Sequence, residues 1–125
     1  MKRFIITLFF VVTIQNINGQ QKQDIDLITS GKWYLEYVGT IDNKEIVPEG
    51  KEKNNWMIFY SSGKLESMTM GNQNISNWEY LKNKNSLKMI DKGQEIVQKI
   101  VKINEKEFVL SFLNENKEIY FGFKK

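Results

Sequence analysis

Cysteine and histidine are both absent from the 125-residue chain. The chain therefore lacks the thiol nucleophile, the commonest general base at neutral pH, and the usual ligands of zinc, haem and copper. No disulfide can hold the fold together, so a hydrophobic core must do so alone. No glycine-rich phosphate loop and no Gly-x-Ser-x-Gly motif is present either. These absences predict a protein that is not an enzyme, with no catalytic residues, no metal site and no cofactor.

The net positive charge is also small once the N-terminus is set aside. The formal net charge is +3, but without Lys2 and Arg3 the chain has 16 basic and 15 acidic residues, a net charge of +1. Charges of both signs are interspersed, and Arg3 is the only arginine. Because a protein that binds nucleic acid needs a basic patch or stripe, nucleic acid is not among the predicted partners.

The N-terminus has the layout of a secretory signal peptide. Lys2 and Arg3 precede an apolar run from Phe4 to Ile14, and Gly19 is a small residue at a suitable cleavage position. The apolar run is shorter than the roughly 20 residues that span a bilayer. We therefore expect residues 1–19 to be a cleaved signal, which leaves an exported protein, periplasmic or secreted, with no stable membrane anchor. A retained anchor or a buried helix is the alternative.

Alternation of apolar and polar residues dominates the rest of the chain and predicts an all-β domain over residues 31–125. A lead-in with a short helix, residues 20–30, precedes it. The alternation is clearest at Trp33, Leu35 and Tyr37, which share one face of a strand. About eight short strands separated by turn residues have the spacing of a sandwich or barrel. A closed barrel leaves no exposed strand edges and suits a small monomer.

Two segments give more local predictions. Ser61-Ser62-Gly63 is typical of a three-residue hairpin turn with Gly63 in the left-handed conformation, which sets Phe59 opposite Leu65. The stretch 95–103 fits either a helix or a strand, because its isoleucines and valines have helical spacing. Its many β-branched residues and the flanking turns favour a strand, with a bulge.

The residues Gly31-Lys32-Trp33 resemble the Gly-x-Trp signature that opens the first strand of lipocalins. The mature chain as a whole is similar to small secreted bacterial lipocalin-like proteins, which have calycin-type barrels. Their Ser-Gly hairpin, tryptophan-containing fourth strand and aromatic closing strands correspond to Phe59–Gly63, Trp78-Glu79-Tyr80 and Phe108–Phe123. The resemblance implies a single eight-stranded antiparallel up-and-down barrel. It also implies that Trp33 closes one end of that barrel.

Apolar side chains that face the interior are the predicted ligand contacts. Methionine and aromatic residues form adaptable apolar walls, and Tyr80 adds a hydroxyl group. In the other interpretation these side chains simply fill the core, as in most small barrels. The predicted function is the binding of a small hydrophobic molecule inside the barrel, without catalysis. The predicted contacts are Phe59, Leu65, Trp78, Tyr80, Met89, Phe112 and Phe121, and Met57 is expected to face the interior with them.

A second set of apolar residues indicates a different function. Trp56, Ile58, Tyr60, Met68 and Met70 would share the outer face of one hairpin. An exposed apolar patch of that kind marks a protein–protein contact. The alternative function is therefore an exported interaction module, such as an inhibitor or an envelope accessory factor. In the competing interpretation, a loop or the N-terminal segment covers this face, and the face has no partner protein.

Overall fold

Strands joined by short turns make up most of the chain. The structure is a computed structural model that describes residues 22–125, so the predicted signal peptide, residues 1–19, lies outside the described residues. No helix within residues 22–125 is long and apolar enough to cross a membrane. The strands are β1 (Lys32–Thr40), β2 (Asn43–Ile46), β3 (Asn55–Phe59), β4 (Lys64–Thr69), β5 (Asn72–Leu81), β6 (Ser86–Asp91), β7 (Gln94–Ile103), β8 (Glu107–Asn114) and β9 (Lys117–Lys124).

Eight of the nine strands close into an antiparallel barrel, because β9 pairs back to β1 through partners such as Leu35 and Phe123. This confirms the predicted all-β, eight-stranded, up-and-down fold. The ninth strand, β2, pairs with Tyr37 to Thr40 of β1, whereas β3 pairs with Lys32 to Tyr34. β2 and β3 therefore lie end to end along one edge of β1. The segment between them includes a 3₁₀-helix, Lys51–Asn54.

The two local predictions are confirmed. Gly63 has a φ of 95°, a left-handed value that glycine adopts without steric cost, and Phe59 is the register partner of Leu65. Residues 95–103 lie within strand β7 rather than a helix. The register of β7 against β8 shifts once, as expected of a β-bulge.

A short helix and a tryptophan close one end of the barrel. The helix, α1, spans residues 22–28, and both Ile28 and Trp33 are fully buried. The indole Nε1 of Trp33 donates a hydrogen bond of 3.0 Å to the carbonyl oxygen of Ile28. The ring of Trp33 lies 5.4 Å from that of Phe108, and the ammonium group of Lys125 is 4.8 Å from the Trp33 ring centroid. Trp33 thus joins the helix, β1, β8 and the C-terminus.

An aromatic cluster fills the half of the interior next to α1. Phe59 packs edge-on against Trp78, with centroids 5.4 Å apart, and against Phe108, with centroids 5.8 Å apart. Such edge-to-face pairs stabilise a core beyond the area that they bury. The buried apolar residues of this core are Ile28, Trp33, Phe59, Leu65, Trp78, Leu87, Ile100, Phe108, Leu110 and Phe123.

A polar contact also fastens α1 to the barrel. The hydroxyl group of Tyr80, on β5, donates a hydrogen bond of 3.3 Å to the buried carboxylate of Asp24 in α1. Burial, and then the nearby Asp24 carboxylate, raise the pKa of Tyr80. Tyr80 therefore remains a neutral hydrogen-bond donor well above neutral pH.

Replacement of Trp33 by alanine tests its role in closing the barrel. We expect the free energy of unfolding to fall by about 3–5 kcal/mol, because a large buried ring is removed from a packed core. Trp33→Phe keeps a ring but loses the hydrogen bond to Ile28, so we expect a loss of only about 1–2 kcal/mol. Urea titration followed by circular dichroism measures both values. If Trp33→Ala lowered the free energy of unfolding by less than Trp33→Phe does, this role would be contradicted.

The Tyr80–Asp24 contact predicts a specific dependence of stability on pH. Because the pKa of Tyr80 is higher in the folded state than its ordinary value of about 10, its contribution is complete below pH ~10. The contribution is lost as the pH rises through the folded-state pKa. We expect Tyr80→Phe to melt at a lower temperature than the wild type at pH 7, with the difference shrinking above pH ~10. A difference that stays constant over this range would argue against the contact.

Candidate functional site

The barrel interior beyond the aromatic core contains a cavity of about 250 Å³. It lies away from α1, since its lining includes Asn55, the first residue of β3, and Thr69, the last residue of β4. Its lining residues come from six strands, so the wall of the barrel surrounds the cavity. The lining residues are Leu35, Asn55, Trp56, Met57, Ser67, Met68, Thr69, Met89, Gln98, Phe121 and Phe123.

The pleat of each strand explains why the core continues into this cavity. Side chains two residues apart on a strand point to the same face. Met57 precedes the core residue Phe59 by two positions, and Ser67 follows the core residue Leu65 by two. Met57 and Ser67 are also register partners across the β3–β4 hairpin. The same spacing brings Met89 into the cavity from β6, two residues after the buried Leu87.

The cavity has apolar walls and a few polar groups, but none of the described residues that line it is charged. Leu35, Met57, Met89 and Phe121 supply apolar surface, to which hydroxyl and amide side chains are added. At ~30 Å³ for each water of the bulk liquid, a volume of about 250 Å³ holds about eight atoms of that size. The cavity is thus suited to a small neutral ligand and is below the 300–1,000 Å³ of most drug-sized sites.

The structure separates the predicted ligand contacts into three groups. Met89 and Phe121 line the cavity. Phe112 stacks on Phe121, with ring centroids 5.5 Å apart and an interplanar angle of 17°. The other four belong to the closed half, where Tyr80 packs against the core and contacts α1, and where Phe59, Leu65 and Trp78 are buried in the core itself.

The polar lining was not found by sequence reasoning. Ser67, Thr69 and Gln98 interrupt the apolar side of their strands, so a pattern of apolar residues does not single them out. The alternation did carry one usable signal. Extending the predicted Phe59–Leu65 register by two residues sets Met57 opposite Ser67, which places both on the interior face.

Strand alternation places the predicted partner surface on the outer side of the β3–β4 hairpin, yet two of its residues, Trp56 and Met68, also border the inner cavity. The Lys32 ammonium group is 4.3 Å from the centroid of the Trp56 ring. The Tyr60 hydroxyl donates a hydrogen bond of 2.8 Å to Glu66. Trp56, Ile58 and Met68 are half-buried, and Met70 is 81% exposed at the following turn.

The barrel wall is open over a short length between β7 and β8. The last pair of their ladder at this end is Lys99–Ser111, although β7 starts at Gln94 and β8 ends at Asn114. We call this gap, between residues 94–98 and 112–114, the seam. It contains a cavity of about 590 Å³, lined by Ser86, Glu95, Ile96, Val97, Lys99, Ser111, Phe112, Leu113 and Glu118.

The described part of the chain contains no set of side chains that could bind a metal ion. Residues 22–125 contain no group of three or more acidic side chains that could hold a cation. Every buried side-chain nitrogen or oxygen of these residues has a hydrogen-bond partner.

No protein-family model matches the chain, and no curated protein matches it. Its fold is similar to that of a lipocalin-like protein from Bacteroides uniformis whose crystal structure is known, with a TM-score of 0.55. The two sequences are 18% identical, and the similarity covers 78% of this chain and 98% of the other. Together with the closed eight-stranded antiparallel barrel, this similarity shows that the chain has a lipocalin-like calycin fold.

Proposed function

We propose that the protein is a non-catalytic, exported carrier of a small, neutral, hydrophobic molecule. The observation that carries this proposal is the inner cavity of about 250 Å³, which continues the apolar core and has no charged side chain among the described residues that line it. The predicted signal peptide, residues 1–19, supports the exported location. The lipocalin-like fold supports ligand binding only in general terms, because one fold hosts many functions.

The size of the cavity limits both the ligand and its affinity. A ligand of about eight non-hydrogen atoms would fill the volume of the cavity. A micromolar dissociation constant corresponds to about −8 kcal/mol, or roughly −1 kcal/mol per atom, close to the ceiling of about −1.5 for very small ligands. We therefore expect micromolar or weaker binding, as befits a carrier that releases its cargo.

A homologous series of 1-alkanols tests the proposal. Each added methylene that is buried contributes about 0.8 kcal/mol, so affinity should rise about fourfold per carbon. The rise should stop near 1-heptanol, at the size the cavity can hold. Isothermal titration calorimetry measures the series. The absence of binding for every member would overturn the proposed function.

Matched variants connect this binding to the cavity. Ser67→Phe places a phenyl ring in the cavity and should weaken 1-heptanol binding at least tenfold, because the ring occupies the volume of the ligand. Ser62→Phe makes the same change in the exposed β3–β4 turn and should leave the affinity unchanged. If Ser67→Phe does not fold, Phe121→Ala serves instead, since a larger cavity should move the chain-length limit to longer alkanols.

Native mass spectrometry of protein purified from its exporting host gives an independent test. We expect a chain that starts at Gln20 and carries a bound small molecule. The bound mass should be absent from Ser67→Phe but present in Ser62→Phe.

The protein–protein interaction module stays a prediction. Of its five predicted residues, Met70 is the one that is mostly exposed, whereas Trp56 lies against Lys32. The expectation that the protein is not an enzyme is likewise a prediction.

A further inference from the structure

The seam exposes two strand edges that face one another without a ladder between them. Residues 94–98 of β7 pair with β6, and residues 112–114 of β8 pair with β9. Within the described chain, neither segment has a register partner on the other side of the seam. Backbone N–H and C=O groups that lack partners must be satisfied by water or by a ligand. The seam therefore offers alternating donors and acceptors along both of its sides.

A β-bulge explains why the ladder stops here. The register between β7 and β8 shifts between Ile100 and Lys102, directly beside the last pair, Lys99–Ser111. A bulge bends its strand and increases the local twist, so β7 diverges from β8 beyond this point. The opening therefore follows from the backbone geometry of β7.

The charges around the seam are of mixed sign and mostly have partners. The Glu95 carboxylate lies 4.0 Å from the Lys88 ammonium group, and the Glu118 carboxylate accepts a hydrogen bond of 2.9 Å from Ser111. Lys99 provides a positive charge on the β7 side. Since neither sign dominates, the seam favours a neutral group that hydrogen-bonds over an ion of either charge.

Only a thin layer of side chains separates the seam from the inner cavity. Phe112 lines the seam and stacks on Phe121, which lines the inner cavity. Ile96 lines the seam, and its register partner Met89 lines the inner cavity. A ligand longer than the inner cavity would thus reach the seam by displacing Phe112.

We propose that the seam is the second compartment of the ligand site and that the ligand is a neutral amphipathic molecule. Its apolar chain lies in the inner cavity, and its hydroxyl- or amide-bearing head lies in the seam against the free edges of β7 and β8. This assignment rests on the proposed carrier function. It adds the chemical class of the ligand and a lateral route into the barrel.

Three probes with the same eight-carbon acyl chain test the class of head group. 1-Octanoylglycerol has neutral hydroxyl groups, methyl octanoate has a neutral head without hydroxyl groups, and octanoate is an anion. We expect 1-octanoylglycerol to bind at least tenfold more tightly than either of the others, measured by calorimetry. Equal affinities for the two esters, or tightest binding of octanoate, would overturn the assignment.

A reversible block of the seam tests its location. The chain has no cysteine, so Leu113→Cys, at a seam residue that is 74% exposed, can be labelled with a bulky methanethiosulfonate. The label should abolish the preference for 1-octanoylglycerol over methyl octanoate, and reduction should restore it. Ile75→Cys, also at an exposed position and outside both cavities, should keep the preference when labelled.

The outcomes separate the seam from the carrier function. If labelled Leu113→Cys keeps the full preference, the seam assignment fails while binding in the inner cavity stands. If no octanoyl probe and no alkanol binds the unlabelled protein, the carrier function and the seam assignment both fail. Phe112→Ala provides a second readout, because removal of this ring should raise the association rate of 1-octanoylglycerol at least fivefold in stopped-flow measurements. An unchanged rate would contradict the lateral route.

Discussion

The burial of Trp33 is the constraint on which the rest of the barrel depends. Its indole group donates to the Ile28 carbonyl and its ring packs beside Phe108, so one side chain holds the helix, the first strand and an opposite strand together. In a domain without disulfides, the closed end is stabilised by this packing together with the Tyr80–Asp24 hydrogen bond. Because the fully buried aromatic rings, those of Trp33, Phe59 and Phe108, gather at that end, the interior volume is divided unevenly. An eight-stranded barrel is just wide enough for its side chains to fill, and here they fill one half.

Small and polar residues on the same strands leave the other half open. On β4, Leu65 fills the core, while Ser67, on the same face, leaves space that a larger residue would occupy. On β3, Phe59 is followed toward the open half by the flexible Met57. The inner face of these strands therefore supplies both a rigid floor, formed by the packed core residues, and an adaptable wall, formed by the residues that line the cavity. This division supports the proposed carrier function, because the floor is stable without the ligand and the wall can adjust to it.

The bulge in β7 connects local backbone geometry to the proposed ligand class. A barrel normally satisfies its backbone by complete closure, and this one stops its ladder at Lys99–Ser111. The free edges that result lie one layer of side chains from the inner cavity, across the Phe112–Phe121 stack. An apolar cavity beside strand edges that pair with no other described strand suits a molecule with one apolar end and one hydrogen-bonding end.

The sequence by itself determined the strands, the Gly63 turn, the pairing of Phe59 with Leu65 and the strand character of residues 95–103, because each is a local matter of period, turn chemistry or β-branching. Period 2 also identified which residues face inward. It could not say how far along the barrel axis each one lies, and so it grouped Phe59 and Trp78 of the packed core with Met89 and Phe121 of the cavity. Only the tertiary structure decided that division, the contact of Tyr80 with Asp24 and the end of the β7–β8 ladder. Each of these depends on residues distant in sequence that meet only when the barrel closes.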